Sequence, residues 1–140
     1  MPPSPSLFRD WFFDRLIWSI LSGMWVIKIK DFKNSKDKRE REFLGLTMYH
    51  KEENGGIIYL DKKAGTPKVL VHELGHVFFG DILDDEARDK NKNRTSSEID
   101  CWMEDQILEF EEYFFKCLSV EQIRTLKVLI DRAKIDFKKI

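Results

Sequence analysis

Residues 66–80 read Thr-Pro-Lys-Val-Leu-Val-His-Glu-Leu-Gly-His-Val-Phe-Phe-Gly, and this stretch predicts the helix around which the chain folds. Thr66 is a suitable N-cap, Pro67 fits the first helical position, and Gly80 predicts the C-terminal end. We therefore expect a helix over about residues 67–79. Its apolar stripe comprises Val69, Leu70, Leu74, Val77 and Phe78.

Two histidines lie on one face of this predicted helix. His72 and His76 are four residues apart, so their side chains stack one turn above the other and both can reach one zinc ion. Glu73 is too close to His72 to share the ion, but it is placed to take a proton from a water on that ion. The pattern predicts a catalytic zinc site. The alternative is a chance match, because histidines on apolar helices are commonly packed in the core.

Composition bounds the class of protein. A chain of 140 residues with 42% hydrophobic and 13% aromatic residues predicts one globular domain, residues 1–140. With 24 basic and 25 acidic side chains the formal charge is −1, so a dominant nucleic-acid surface is not indicated. Cys101 and Cys117 lie about 24 Å apart along one predicted helix, too far to pair. Free thiols favour a cytoplasmic location.

The N-terminal segment predicts an aromatic helix over residues 7–21, ended by Ser22 and Gly23. The apolar run over residues 16–27 is too short to span a bilayer, and no secretory signal precedes it. We expect residues 1–23 to be an accessory N-terminal element that packs on the core. Two alternatives are a cover over the zinc cleft that keeps the protein latent, and contact with a partner or membrane. The expected core stripe is Phe8, Trp11, Phe12, Leu16 and Ile20.

Three strands are expected before the motif helix. Residues 24–32 alternate in polarity, and residues 43–50 and 57–61 flank a turn containing Asn54-Gly55, a strong hairpin signal. The charged run over residues 33–42 between them predicts a loop or short helix. The fold class is therefore α+β, with a small antiparallel or mixed sheet over the motif helix.

Residues 57–60 are expected to form an exposed sheet edge. Such an edge above a zinc site can hold an extended peptide by backbone hydrogen bonds. We therefore name Ile58, Tyr59 and His50 as candidate substrate contacts. The alternative is that they are ordinary strand and hairpin residues.

Two long helices are expected after the motif helix. Residues 81–94 predict a polar connector with a short helical turn, and residues 95–118 a long helix. Ser119 and Gln122 form a capping box that begins the last helix.

A catalytic zinc takes three protein ligands and keeps one position for water. No third histidine follows the pair, so the third ligand should be a carboxylate from another helix. Glu98, in the first turn of the helix over residues 95–118, is the preferred candidate. Asp100 and Glu104 are the alternatives. Glu98 can also act as a helix cap, because residues 95–98 form a capping box.

These residues resemble the gluzincin clan of zinc metallopeptidases, in which a helix carrying a glutamate follows the His-Glu-x-x-His pair. The chain resembles the small prokaryotic single-domain members, which include the ImmA/IrrE-like peptidases and the minimal gluzincins, over about residues 43–110. The resemblance implies a zincin-like fold, His72, His76 and Glu98 as zinc ligands, and Glu73 as general base. Trp102 departs from the pattern, because the clan often places an acid or amide at this position to orient a zinc histidine.

The expected function is zinc-dependent hydrolysis of peptide bonds, with a peptide or a dedicated regulatory protein as substrate. One alternative is a non-catalytic module in which zinc links two helices. The other is a latent peptidase occluded by its N-terminal segment. No nucleic acid or transmembrane segment is expected.

Overall fold

The computed structural model of the chain describes residues 5–50, 55–90 and 95–139, with only the backbone at residues 5, 6, 80–90 and 96. This part of the chain forms a three-stranded mixed sheet and four α-helices, which confirms the α+β class. In chain order the elements are α1 Pro5–Leu21, β1 Trp25–Lys30, β2 Gly45–His50, β3 Gly55–Asp61, α2 Pro67–Lys90, α3 Ser96–Cys117 and α4 Val120–Lys138. The charged run between β1 and β2 contains two 3-10 turns, Phe32–Asn34 and Lys38–Glu40.

The sheet has the strand order β1-β3-β2. β2 and β3 pair antiparallel, as the hairpin signal predicts, although the connecting residues 51–54 lie outside the described part. β3 also pairs with β1, in parallel. The expectation that residues 57–60 form an exposed edge is therefore wrong. The parallel pairing joins strands far apart in sequence, so no local pattern reveals that β3 is central.

One face of the sheet is buried against the helices. Trp25, Ile29, Ile58 and Leu60 point to this face and belong to one core cluster with side chains of all four helices. On the opposite face Val26 is 43% exposed. This alternation follows from the two-residue period of a strand.

α1 contributes to that core, which confirms the main expectation for the N-terminal helix. Phe13 and Leu16 are buried, and Phe12 packs against the core from its edge. The predicted stripe is displaced, because Phe8 and Trp11 are more than half exposed. The buried face of α1 is therefore centred on Phe13 and Leu16, and not on the side that carries Phe8 and Trp11.

α2 continues past its predicted end. The helix runs unbroken from Pro67 to Lys90, so the prediction that Gly80 ends it is wrong. The connector predicted over residues 81–94 is wrong over residues 81–90, and residues 91–94 lie outside the described part of the chain. A glycine inside a helix costs about 1 kcal/mol, which good helix formers around it can outweigh. The beginning of α2 is as predicted, with the Val69 amide donating to the Thr66 hydroxyl at 3.4 Å.

α3 and α4 begin at their predicted caps. The Thr95 hydroxyl accepts from the Glu98 amide, and Ser119 forms a complete capping box with Gln122. Cys101 and Cys117 are unpaired thiols on α3. Among the described residues, no helix is long and apolar enough to cross a membrane.

Candidate metal centre

α2 presents His72 and His76 side by side. Their Nε2 atoms are 3.3 Å apart, and their side chains are 12% and 27% exposed. Two nitrogens bound to a tetrahedral zinc at about 2.05 Å would lie about 3.3 Å apart. The imidazole pair thus already has the separation that one shared metal ion requires.

A carboxylate from α3 meets both rings. Glu104 Oε1 lies 2.7 Å from His72 Nε2, and its Oε2 lies 3.0 Å from His76 Nε2. Two imidazoles and one carboxylate are a donor set found in catalytic zinc sites. Glu104 was one of the alternative ligands in the sequence prediction, and the structure places its carboxylate against the Nε2 atoms of both histidines.

Gly75 allows α3 to come this close. A Cβ atom at Gly75 would lie 2.9 Å from Phe110 Cδ1 and 3.2 Å from Ile107 Cγ2. These are shorter than ordinary contacts, so the missing side chain permits the close approach of α2 and α3. Ile107 follows Glu104 by one turn of α3. The contact of Ile107 with Gly75 therefore fixes the position along α2 at which Glu104 reaches the histidines.

Glu98, the expected third ligand, does not lie beside the two histidines, so that prediction is wrong. Its backbone amide and carboxylate both contact the Thr95 hydroxyl, and its side chain is exposed. Six residues separate it from Glu104, which is about 9 Å along the axis and roughly 240° around the helix. The capping function is the one that the structure shows. Asp100, one turn before Glu104, is exposed.

Glu73 points toward the sheet from the same turn of α2. Its side chain accepts a 2.7 Å hydrogen bond at Oε2 from the Thr47 hydroxyl on β2. Gly45 leaves room for it, because a Cβ at Gly45 would lie 2.9 Å from Glu73 Cγ. One ligand-type atom each from His72, Glu73 and His76 lie within 4.8 Å of one another, so the group can hold a metal ion.

The surroundings shift the acidity of these groups. Burial raises the pKa of Glu73, although the Thr47 hydrogen bond and the nearby histidines act against it. Burial lowers the pKa of His72, but the hydrogen bond and charge of Glu104, with Glu73 and Glu111, outweigh it and raise the pKa overall. Hydrogen bonds from His72 and His76 hold the pKa of Glu104 far below its usual range.

Glu111 supplies a second carboxylate to His72. Its Oε1 lies 3.7 Å from His72 Nδ1, on the ring edge opposite Glu104, and its side chain is 12% exposed. Glu111 follows Glu104 by seven residues and so lies on the same face of α3. Glu111 is therefore the acid on the Nδ1 side of His72, the side that does not face Glu104. Trp102, at the position expected from the resemblance, is half-buried.

The predicted substrate contacts are not gathered at this cluster. Ile58 is fully buried in the sheet and cannot meet a substrate. Tyr59 points to the other face, where Lys30 Nζ lies 5.5 Å from its ring centroid. His50 is exposed at the end of β2, about 10 Å along the strand from Thr47. Thr47 is the strand residue that reaches the cluster, and no sequence signal distinguished it.

Comparisons of the chain with protein families, with curated proteins and with solved structures find no match. The gluzincin resemblance therefore rests on the local motif, and what the structure supports is a cluster of His72, Glu73 and His76 that can hold a metal ion.

Proposed function

We propose that this chain is a zinc-dependent metallopeptidase. The observation that carries the proposal is the contact of one carboxylate, Glu104, with both His72 Nε2 and His76 Nε2, beside the buried carboxylate of Glu73. His72, His76 and Glu104 would hold the ion. This set leaves a coordination position for water, as catalytic zinc sites do.

Glu73 would perform the proton transfers. When bound, zinc polarises the scissile carbonyl and lowers the pKa of a bound water toward ~7. Glu73 takes the proton of the attacking water and delivers it to the leaving amine. Burial raises its pKa, which brings a carboxylate nearer to the pH at which a general base is most effective. The Thr47 hydroxyl fixes Oε2, which leaves Oε1 to carry the proton.

The substrate would lie along β2. Within the described part of the chain, β2 pairs only with β3 and forms an edge of the sheet. Thr47 joins β2 directly to Glu73. An extended peptide that adds to this edge by backbone hydrogen bonds would pass beside the cluster. We therefore expect the substrate to bind at the edge formed by β2, and not at β3, which is the central strand.

The test is hydrolysis of casein by the zinc-loaded parent and by Glu73→Gln, with Glu109→Gln, at an exposed position of α3, as matched control. We expect Glu73→Gln to retain one zinc and lose activity about 100-fold or more, because the proton acceptor is gone. Glu109→Gln should match the parent. A Glu73→Gln protein as active as the parent, with zinc bound, would refute this mechanism.

A non-catalytic zinc module is the second candidate. The observation in its favour is that Glu104 comes from a different helix than the histidines, so a bound ion would link α2 to α3. This candidate predicts that zinc raises the free energy of unfolding while the parent leaves casein intact. The latent form has less support, because the described polar contacts of the four site residues are to α2, α3 and β2, and none is to α1.

A further inference from the structure

A groove that the proposed mechanism does not use lies between α1, α2 and the sheet. Its volume is about 650 Å³, within the range of about 300–1,000 Å³ that ligand pockets have. Asp14 and Arg15 line it with opposite charges, so they give it no net charge. The other lining side chains are mainly apolar or aromatic, and the groove, called the α1 groove below, is formed in particular by Trp11, Trp18, Trp25, Tyr49, Val77 and Phe78.

β2 leads from Glu73 into the α1 groove. Thr47, whose hydroxyl donates to the Glu73 carboxylate, and Tyr49 are two residues apart, so both side chains lie on the same face of the sheet, about 7 Å apart along the strand. The ring of Tyr49 lies 5.8 Å from the ring of Trp25, which is buried against the helices. The face of β2 that reaches Glu73 is therefore the face that lines the groove.

α2 leads into the groove in the same way. Val77 follows Glu73 by four residues, so it lies on the same face of α2, one turn and about 6 Å further along the axis. The next residue, Phe78, joins α2 to α1, because its ring lies 5.7 Å from the ring of Phe12. The two elements that hold Glu73 thus both continue into the α1 groove, at a distance of about two residues of an extended peptide.

An extended peptide on the edge of β2 would direct a side chain toward this groove. Its side chains alternate between the two faces of the sheet, so the residue beside Thr47 and the residue beside Tyr49 both face the helices. The second of these side chains would meet Trp11 and Trp18, which are 54% and 64% exposed in the free protein. Covering these rings with a large apolar side chain would be favourable, and an aromatic ring would gain most.

We propose that the α1 groove is the specificity pocket of the enzyme, and that it accepts a large apolar side chain of the substrate about two residues from the residue beside Thr47. This proposal rests on the proposed peptidase function and names the class of peptide that it cleaves. Trp18 and Trp11 are then specificity-determining residues, and α1 takes part in substrate recognition as well as in the core.

The positions at which the zinc-loaded parent cuts casein, mapped by mass spectrometry, test this proposal. We expect Phe, Tyr, Trp, Leu or Met at one fixed position about two residues from the cut bond. In a casein peptide with a single cut site, Phe at this position should give a kcat/KM roughly tenfold or more above that with Lys. Trp18→Glu and Trp11→Glu should each lower this Phe-to-Lys ratio roughly tenfold, because a carboxylate in the groove favours the cation over the ring.

Leu21→Glu is the matched control, because Leu21 is 67% exposed on the same helix and does not line the α1 groove. It should keep the parental ratio, and a ratio that it lowers as much as Trp18→Glu does would overturn the pocket. Casein cleavage without the positional preference, or a parental ratio in both folded tryptophan variants, would overturn the pocket and leave the peptidase proposal standing. A zinc-loaded parent that leaves casein intact would overturn the peptidase proposal itself, and the pocket with it.

Discussion

At the scale of single residues, the acidity of Glu73 depends on one neighbour on the sheet. The Thr47 hydroxyl donates to its carboxylate and lowers its pKa, against the stronger effect of burial. A carboxylate that must accept a proton during catalysis acts only when it is ionised. In the proposed mechanism, the contact with Thr47 would set the acidic limit of activity.

Thr47→Val should shift that side of the profile. Removing the hydroxyl keeps the shape of the side chain but takes away the hydrogen bond that lowers the pKa of Glu73. The pKa then rises, so activity on casein should begin at a higher pH than in the parent. Thr125→Val on α4, which removes a hydroxyl from an exposed helix position, is the control. An unchanged acidic limit in zinc-loaded Thr47→Val would show that the hydroxyl does not tune the base.

The residue scale is also where sequence reasoning was least complete. The spacing of His72 and His76 predicts their common face, because it follows from one helix alone. Whether Glu98 or Glu104 lies beside the histidines depends on the position of α3 relative to α2 along the helix axes. Both glutamates border the apolar stripe of α3, so periodicity could not decide between them, and the capping box at Thr95 was the competing use of Glu98.

At the scale of elements, the crossing of α2 and α3 determines where Glu104 lies along the α2 axis. Gly75 lies against Phe110 and Ile107, and this contact joins two helices whose caps and stripes were each predictable separately. Their relative position was not, because it depends on contacts between residues distant in sequence. The strand order has the same origin, since the β1–β3 pairing is also non-local.

Gly75→Ala should lower zinc affinity more than it lowers the free energy of unfolding. Alanine gains about 1 kcal/mol of helix propensity, while crowding against Phe110 and Ile107 costs about 1–3 kcal/mol. The net loss in the free energy of unfolding of the metal-free protein should thus stay below about 2 kcal/mol. Zinc affinity should fall more clearly, because α3 must move and take Glu104 with it. Isothermal titration and urea unfolding measure the two effects, and unaltered zinc affinity would contradict this account of the crossing.

At the scale of the whole molecule, the cluster links stability to pH. The pKa of Glu104 lies below its ordinary 4.5, so its contribution is present above pH 4.5 and is lost as the pH falls toward the lowered value. The pKa of His72 lies above its ordinary 6.5, so its contribution is present below pH 6.5 and is lost as the pH rises through the raised value. Both contributions to stability are complete only between pH 4.5 and pH 6.5.

The metal-free protein should therefore lose stability as the pH rises above the raised pKa of His72. Zinc should remove this loss, because the ion takes the place of the proton between the imidazoles and Glu104. At free zinc of 100 times its dissociation constant, the gain is about 2.7 kcal/mol. Urea unfolding between pH 5 and 9, with chelator or with zinc, checks this. His72→Gln should show neither effect, and a parent whose stability is the same with and without zinc would contradict the prediction.

The most direct test of the central claim is the zinc content of the parent, Glu104→Gln and Glu98→Gln after dialysis against a weak chelator. We predict one zinc per chain for the parent and for Glu98→Gln. Glu104→Gln should lose affinity by more than the roughly 10- to 100-fold that loss of an outer-shell partner costs. Retention of zinc by folded Glu104→Gln, with loss from Glu98→Gln, would contradict the metal centre described here.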